Sequence, residues 1–373
     1  MCNRTDNNRT ISGFSLVELL VAMTLGLMLL SGMIAVFSGN KRSSEANTAM
    51  ANIQESARFA LNAIAQDARS SGYQGCIDTN RGKVTPQADS APVVADSLRA
   101  TAATGALVNT DGSWDPVSPI GYTPSTVFPP IAGTHSLMFQ FGKSDNTRLS
   151  DQMKVGTTQS LAGPLKLVND IKLKVGDLAI VSNCETGDLF QVTAVSDNGK
   201  TISHAASGNI SGNLKFAYGS EDTRSQTTVM KFMSNIYYVG NTGLTNENND
   251  VITALYQQSL PFESDNPPIE LIQGVENMRV AFGIRDSGGS MHYLPPDVTG
   301  FDPTRVESIQ IGLLMNSWDQ VSQSNDSNTY TLAGQPIYSA TASSGSNVTT
   351  HAGDKRYRLA FNTTIKIRNR RSR

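Results

Sequence analysis

The pattern of apolar and polar positions divides the chain sharply. From Phe14 to Gly39 the run FSLVELLVAMTLGLMLLSGMIAVFSG is apolar on every side and carries one formal charge, Glu18. A helix that is apolar all round needs an apolar medium. At 1.5 Å per residue this one is about 39 Å long, enough to cross a bilayer core of ~30 Å with some tilt. It exceeds the ~7–15-residue core of a secretory signal, and no clean Ala-x-Ala site follows, so a retained membrane helix is expected. The helical pattern then continues in another form. Ala46, Met50, Ile53, Ala57, Ala60 and Ile64 recur at alternating spacings of four and three, a stripe along one helix face. No proline occurs before Pro86, and Ser70-Ser71-Gly72 supplies a stop with Gly72 suited to the C′ position. The spacing therefore predicts one helix, with a transmembrane half over 14–39 and an amphipathic half over 40–72. Ser38-Gly39-Asn40 is the only weak candidate break.

Beyond Gly72 the period changes to two. Leu137, Phe139 and Phe141 share one face, and Leu178-Ala179-Ile180-Val181 reads as a strand buried on both sides. Met278, Val280, Phe282 and Ile284 alternate up to the turn Asp286-Ser287-Gly288-Gly289, and Ile309, Ile311, Leu313 and Met315 alternate as well. Asp197-Asn198-Gly199-Lys200 marks a hairpin. The clearest strand is the last. Tyr357, Leu359, Phe361, Ile365 and Ile367 fall on one face, and Arg356, Arg358, Asn362, Thr364, Lys366 and Arg368 on the other. Residues 85–130 hold seven prolines and read as irregular. The organisation expected is a leader over 1–13, the two helix halves, and a β-rich head over 73–373 with an inserted subdomain around 85–218.

Composition and charge narrow the function. The chain has 373 residues and a formal net charge of −2, which argues against a generally basic nucleic-acid binder. Charge is uneven, because residues 355–373 carry eight basic residues and no acidic one. The simplest account is a strand whose wet face carries Arg and Lys, blunting a sheet edge. Catalytic signatures are missing. His135, His204, His292 and His351 are scattered, and there is no Gly-x-Ser-x-Gly elbow and no Gly-x-Gly fingerprint. Gly142-Lys143-Ser144 and Gly199-Lys200-Thr201 lack the upstream glycine of a phosphate loop. Asn246–Asp250 could hold calcium weakly but lacks EF-hand spacing and reads as a polar loop. No enzyme activity, cofactor or metal site is expected.

Glu18 is the anomaly, because a carboxylate inside an apolar run is costly and marks function. It stands five residues into a run that begins at a Gly13–Phe14 bond, after a short polar segment. Gly13–Met23, GFSLVELLVAM, resembles the cleavage and methylation signal of type IV prepilins and pseudopilins. The resemblance implies cutting after Gly13 by a prepilin peptidase, N-methylation of Phe14, and a role for Glu18 in meeting the N-terminal amine of a neighbouring subunit. Glu55–Cys76, with Arg58-Phe59-Ala60-Leu61, Asp67, Arg69, Gly72-Tyr73 and Gly75-Cys76, resembles PilW-type minor pilins. So do Gly274–Gly283 and the ending Phe361 to Arg370.

The resemblance implies a type IV pilin-like α+β fold, a long N-terminal helix packed on an antiparallel β-rich head. It implies a minor pilin in the bacterial inner membrane, single-pass with a periplasmic head, that primes pilus growth and has the pilus tip as a candidate place. Twitching motility and adhesion would follow. The partners implied are other minor pilins, the major pilin, the prepilin peptidase, the inner-membrane assembly platform and a large tip adhesin. A J-type pseudopilin of type II secretion and a membrane-anchored adhesin outside any filament are the alternatives. With Cys2 leaving in the leader, Cys76 and Cys184 remain in an oxidising compartment. A Cys76–Cys184 disulfide is expected, with two buried free thiols or a reactive surface thiol as the alternative.

Overall fold

The computed structural model describes residues 15–77, 83–89, 102–115, 127–143, 145–220, 226–259, 267–286, 288–299, 301–340 and 349–369. Gly13, Phe14, Cys2 and Ser144 lie outside these residues.

A single helix, α1, runs over Leu16–Ser70, 55 residues without a break at Gly39. At 1.5 Å per residue it is about 82 Å long. Its stop follows the expected form: Gly72 takes φ +75°, and the Ser71 amide donates to the Asp67 carbonyl at 2.8 Å. The described head is antiparallel except at two short pairings, with strands β1 (Lys83–Pro86), β2 (Ala103–Val108), β3 (His135–Gly142), β4 (Leu178–Ser182), β5 (Thr186–Gln191), β6 (Thr228–Thr245), β7 (Val251–Ser259), β8 (Ile269–Gln273), β9 (Val275–Arg285), β10 (Met291–Leu294), β11 (Val306–Gln320) and β12 (Arg356–Lys366) as its main strands. The larger sheet runs β1-β5-β4-β6-β3-β2, with β7 and β8 added along the second half of β6. The smaller sheet runs β10-β9-β11-β12.

The main core lies between the two sheets and the second half of α1. It joins Ile53, Ala57, Ala60 and Ile64 to Leu137 and Phe139 of β3, Met278, Val280 and Phe282 of β9, and Ile309, Ile311 and Leu313 of β11. The alternations read from the sequence are these strands, and Leu178–Val181 is buried on both faces. The hairpin at Asp197–Lys200 is also present, with Asp197 and Asn198 at positive φ and Gly199 at +86°.

Several expectations need correction. Residues 85–130 are not all irregular, because β2 is a core strand in the larger sheet. Its small residues hide it: Gly105 lies so close to the Phe282 ring that a Cβ there would sit 3.1 Å from it. The region set apart around 85–218 supplies β2, β3, β4 and β5 to the same sheet, while Leu149, Met153, Leu165, Phe190 and Tyr218 belong to a further core cluster there. Met50 is exposed, so the buried stripe of α1 starts at Ile53.

The wet face of β12 is the clearest departure. Arg356 and Arg358 are buried. The Arg358 Nε donates to Glu276 at 2.6 Å and its Nη2 to Asp354 at 2.8 Å, and Asp326 lies 3.5 Å from Nη1. Arg356 pairs with Asp354 at 2.8 Å. Burial alone would lower the Arg358 pKa, but Glu276 and Asp354 raise it well above the usual value. The period of two was right. Which face was wet depended on Glu276 and Asp326, 82 and 32 residues from Arg358, as well as on nearby Asp354.

Cys76 and Cys184 are bonded, with Cα atoms 4.7 Å apart and a sequence separation of 108. Closing a loop of that size stabilises by about 4–5 kcal/mol in the chain-entropy model. Alkylation of the mature protein is expected to label no cysteine before reduction and two after it, with a lower melting temperature in reductant. Labelling without reductant would contradict the bond.

A buried histidine gives the head a pH dependence. The His135 ring is fully buried, its Nε2 is 2.7 Å from Arg279 Nη1, and its Nδ1 is 3.2 Å from the Val280 carbonyl. Because Arg279 can only donate, Nε2 accepts from it, and Nδ1 also lies 3.1 Å from the Val280 amide nitrogen. Burial, then the Arg279 charge, hold the His135 pKa at about 3. An unfolded histidine titrates near 6.5. Below that pH the unfolded chain takes a proton that the native ring refuses, so native stability falls from pH ~6.5 down to ~3. Asp188 has the opposite sign. Burial raises it to about 6. It therefore costs native stability as pH rises through roughly 4 to 6. Comparing His135→Gln with the parent isolates the histidine. The variant is expected to lose about 3 kcal/mol less than the parent between pH 7 and pH 4. Parallel melting curves across that range would refute the assignment.

Candidate assembly interface of the N-terminal helix

The site is built from the N-terminus upward. Ser15 is the N-cap of α1; its Oγ accepts from the Val17 amide at 3.3 Å, and Glu18 Oε2 accepts from the Ser15 amide at 3.0 Å. Both bonds satisfy amides that have no partner within the helix, and the carboxylate lies at the positive end of the helix dipole. The Ser-x-x-Glu spacing is a legible capping box in front of an apolar run, and the sequence reading passed over it. Glu18 therefore has a local partner in the isolated chain.

From Leu16 to Phe37 nothing in the head covers the helix. Leu19, Leu20, Leu27, Met28, Leu29, Ile34 and Phe37 are all more than half exposed. This one helix is long and apolar enough to cross a membrane. Gly26 and Gly32 have no neighbouring atom that a side chain would meet. So the apolar half is a bare surface, while the other half is fixed in the head.

Three devices fix it. First, Ala57, Ala60 and Ala68 are fully buried, and their small size lets the helix backbone approach β11 and β12 closely. Second, Asp67 binds strands of the larger sheet: its Oδ2 accepts from Tyr237 at 2.6 Å and Asn235 at 2.7 Å, with Gln257 at 3.4 Å. Burial raises the Asp67 pKa, and the Tyr237 and Asn235 bonds partly offset that. Third, Asn369 Nδ2 donates to the carbonyls of Ser70 and Ser71, both at 3.2 Å. One amide thus satisfies carbonyls that the helix end leaves open.

The motif after the helix extends the same clasp. Gly72 N–H donates to Gln140 at 2.8 Å, and the Tyr73 carbonyl accepts from Gly142 at 2.7 Å, so the chain leaves α1 along β3. Gly75 sits at φ +79° where a Cβ would be 2.8 Å from Ser182 Oγ. Cys76 then bonds Cys184. Arg58, Phe59 and Arg69 point outward.

The other candidate residues are not brought together. His135, His204 and His351 are buried apart, and His292 is exposed beside Asp286. Among the described residues no group of three or more His, Cys, Asp or Glu is placed to hold a metal. Asn246–Asp250 closes on itself, its Asn246 side chain bonding Asp250 and the Trp318 carbonyl.

The fold and this interface define a type IV pilin-like α+β protein with a membrane-anchoring N-terminal helix. The family model described as Type IV Pilus-assembly protein W matches residues 236–369, and the Prokaryotic N-terminal methylation motif matches residues 8–34. These two matches support a PilW-type pilin with a prepilin-type signal. The PilW match contains Tyr237, Gln257 and Asn369, three of the partners that hold the end of α1. No curated protein and no solved structure matches the chain.

Proposed function

We propose that the protein is a minor pilin that primes pilus assembly from the inner membrane, with its head on the periplasmic side, and that supports twitching motility and adhesion from a place at the pilus tip. One observation carries this reading. An apolar half-helix with no cover in its own chain continues without a hinge into a half that Asp67 and Asn369 fix to a large head. Such a rod buries its apolar surface only in lipid or against similar helices, so it can pass from membrane to filament. The head then moves with the rod as one body. Its action is assembly and not catalysis. The prepilin peptidase acts on it at Gly13–Phe14, and the assembly platform, other minor pilins, the major pilin and a tip adhesin are its partners.

N-terminal mass spectrometry of protein extracted from membranes tests the reading most directly. The expected first residue is Phe14 carrying one methyl group, with residues 1–13 absent. Met1 still attached in protein from piliated cells would overturn it.

A further inference from the structure

We propose that, before assembly, the lower rim of the head seats on the lipid surface beside its own membrane helix, through Trp318, Leu244 and Val251. These three side chains are 48%, 50% and 45% exposed. They belong to one end of the head. Leu244 and Val251 flank the β6–β7 turn, where Thr245 pairs with Val251, and the Asn246 side chain of that turn donates to the Trp318 carbonyl at 3.0 Å. The end of β11 is thereby tied to the tip of the hairpin.

The height of this rim follows from the helix. Ser44, Glu45 and Thr48 of α1 line one wall of a groove of about 650 Å³, and Glu247, Ile252, Trp318, Gln320 and Val321 line the opposite wall. The rim therefore lies level with Ser44–Thr48. Ser44 is five residues past Gly39, or about 7.5 Å along the axis. The interfacial layer of one leaflet is ~5–7 Å deep beyond the hydrocarbon. A helix tilted enough to bury residues 14–39 in the ~30 Å core thus brings the rim to the headgroups. Tryptophan favours that layer because its ring is apolar and its N–H remains wet. The patch stands at the height where the spanning helix leaves the bilayer, which argues for lipid as its occupant.

Charge selects the kind of lipid. Glu45, Glu247 and Asp319 are exposed around the rim; Glu45 is paired with Lys41 at 3.7 Å, and Arg42 is the one other cation on α1 between Gly39 and the rim, against the two carboxylates Glu247 and Asp319. Unpaired carboxylates repel an anionic surface. The seat therefore suits a zwitterionic surface, and it would orient the head before the subunit leaves the membrane. The inference rests on the membrane-anchored reading of α1.

The chain has two tryptophans, and Trp114 is buried. A Trp114→Phe variant of the full chain leaves Trp318 as the reporter. It is reconstituted in phosphatidylcholine vesicles containing a lipid with a nitroxide on its headgroup. The expected result is loss of most Trp318 emission on adding the labelled lipid, with weaker quenching when half the lipid is phosphatidylglycerol. Leu244→Ser/Val251→Ser should reduce quenching while the protein still floats with the vesicles. Flotation without quenching of Trp318 overturns the seat and leaves the anchor standing. Failure to float overturns both. Because the unchanged chain is measured alongside, a folding defect of the Trp114 variant shows as a shifted melting curve and is separated by repeating the experiment with Trp114→Tyr.

Discussion

Cells whose only copy of the gene encodes Gly13→Arg are expected to accumulate the protein at full length and to make no pili. The large charged side chain stands where the peptidase must approach the bond before Phe14, and glycine allows that close approach. Without the cut, a mostly polar thirteen-residue segment stays on the end of a rod that must pack among apolar helices. Glu18→Ala is expected to be processed normally and still to abolish or nearly abolish piliation. Glu18 is the one formal charge between Phe14 and Gly39. In a filament interior a carboxylate and an amine offset each other's desolvation, and removing one partner costs about 3–5 kcal/mol per contact. The same carboxylate also caps its own helix through Ser15. That local bond is worth only about 1 kcal/mol, and its loss frays one turn. Ser15→Ala separates the two roles, because it weakens the cap and keeps the charge. Near-normal piliation in Ser15→Ala, with none in Glu18→Ala, is the expected pair. Normal pili and twitching in both Gly13→Arg and Glu18→Ala would refute the assembly mechanism.

The largest effect on the head itself is expected from Arg358→Met. The Arg358 side chain is fully buried and balances Glu276, Asp326 and Asp354. Methionine fills similar volume and supplies neither charge nor donor. The carboxylates are then left facing one another in a site from which water is excluded, a loss of about 3–5 kcal/mol. For a head of this size that corresponds to a fall in melting temperature of roughly 10 °C. Arg358→Lys keeps the charge but loses the planar fork that reaches Glu276 and Asp354 together, so an intermediate loss is expected. Thermal unfolding of the detergent-solubilised chain, followed by the loss of β-sheet signal, measures both. An Arg358→Met protein that melts with the parent would show that the cluster contributes no net stability.

The same cluster shows where reading by pattern ends. Its strand was legible because five apolar residues alternate with six polar ones, but the polar face was assigned to water. Asp354 stands only four residues before Arg358, but Glu276 and Asp326 come from distant parts of the chain, and nothing local to Arg358 announces them. β2 was missed for the opposite reason. Gly105 is pressed by Phe282 and the Ser136 carbonyl of β3, and its neighbours Ala103 and Ala106 are small buried residues, so the strand lacks the large alternating side chains by which strands are recognised. Asp67 and Asn369 were noticed only as parts of a resemblance. Their work, holding the end of α1 to β6 and to the last residues of the chain, needed the fold to bring them together.

By itself the sequence determined the long helix, the change from an all-round apolar surface to a stripe, the stop at Gly72 and the alternating core strands. These follow from periods of 3.6 and 2, which depend only on local backbone geometry. It also carried the processing signal and Glu18, since both are defined by distance along the chain. The tertiary structure decided the pairing of Cys76 with Cys184 over free thiols, the burial of Arg356 and Arg358, the neutral His135 and the placing of Trp318 across a groove from Ser44. Those depend on which distant segments meet, because desolvation and charge pairing are set by neighbours in space.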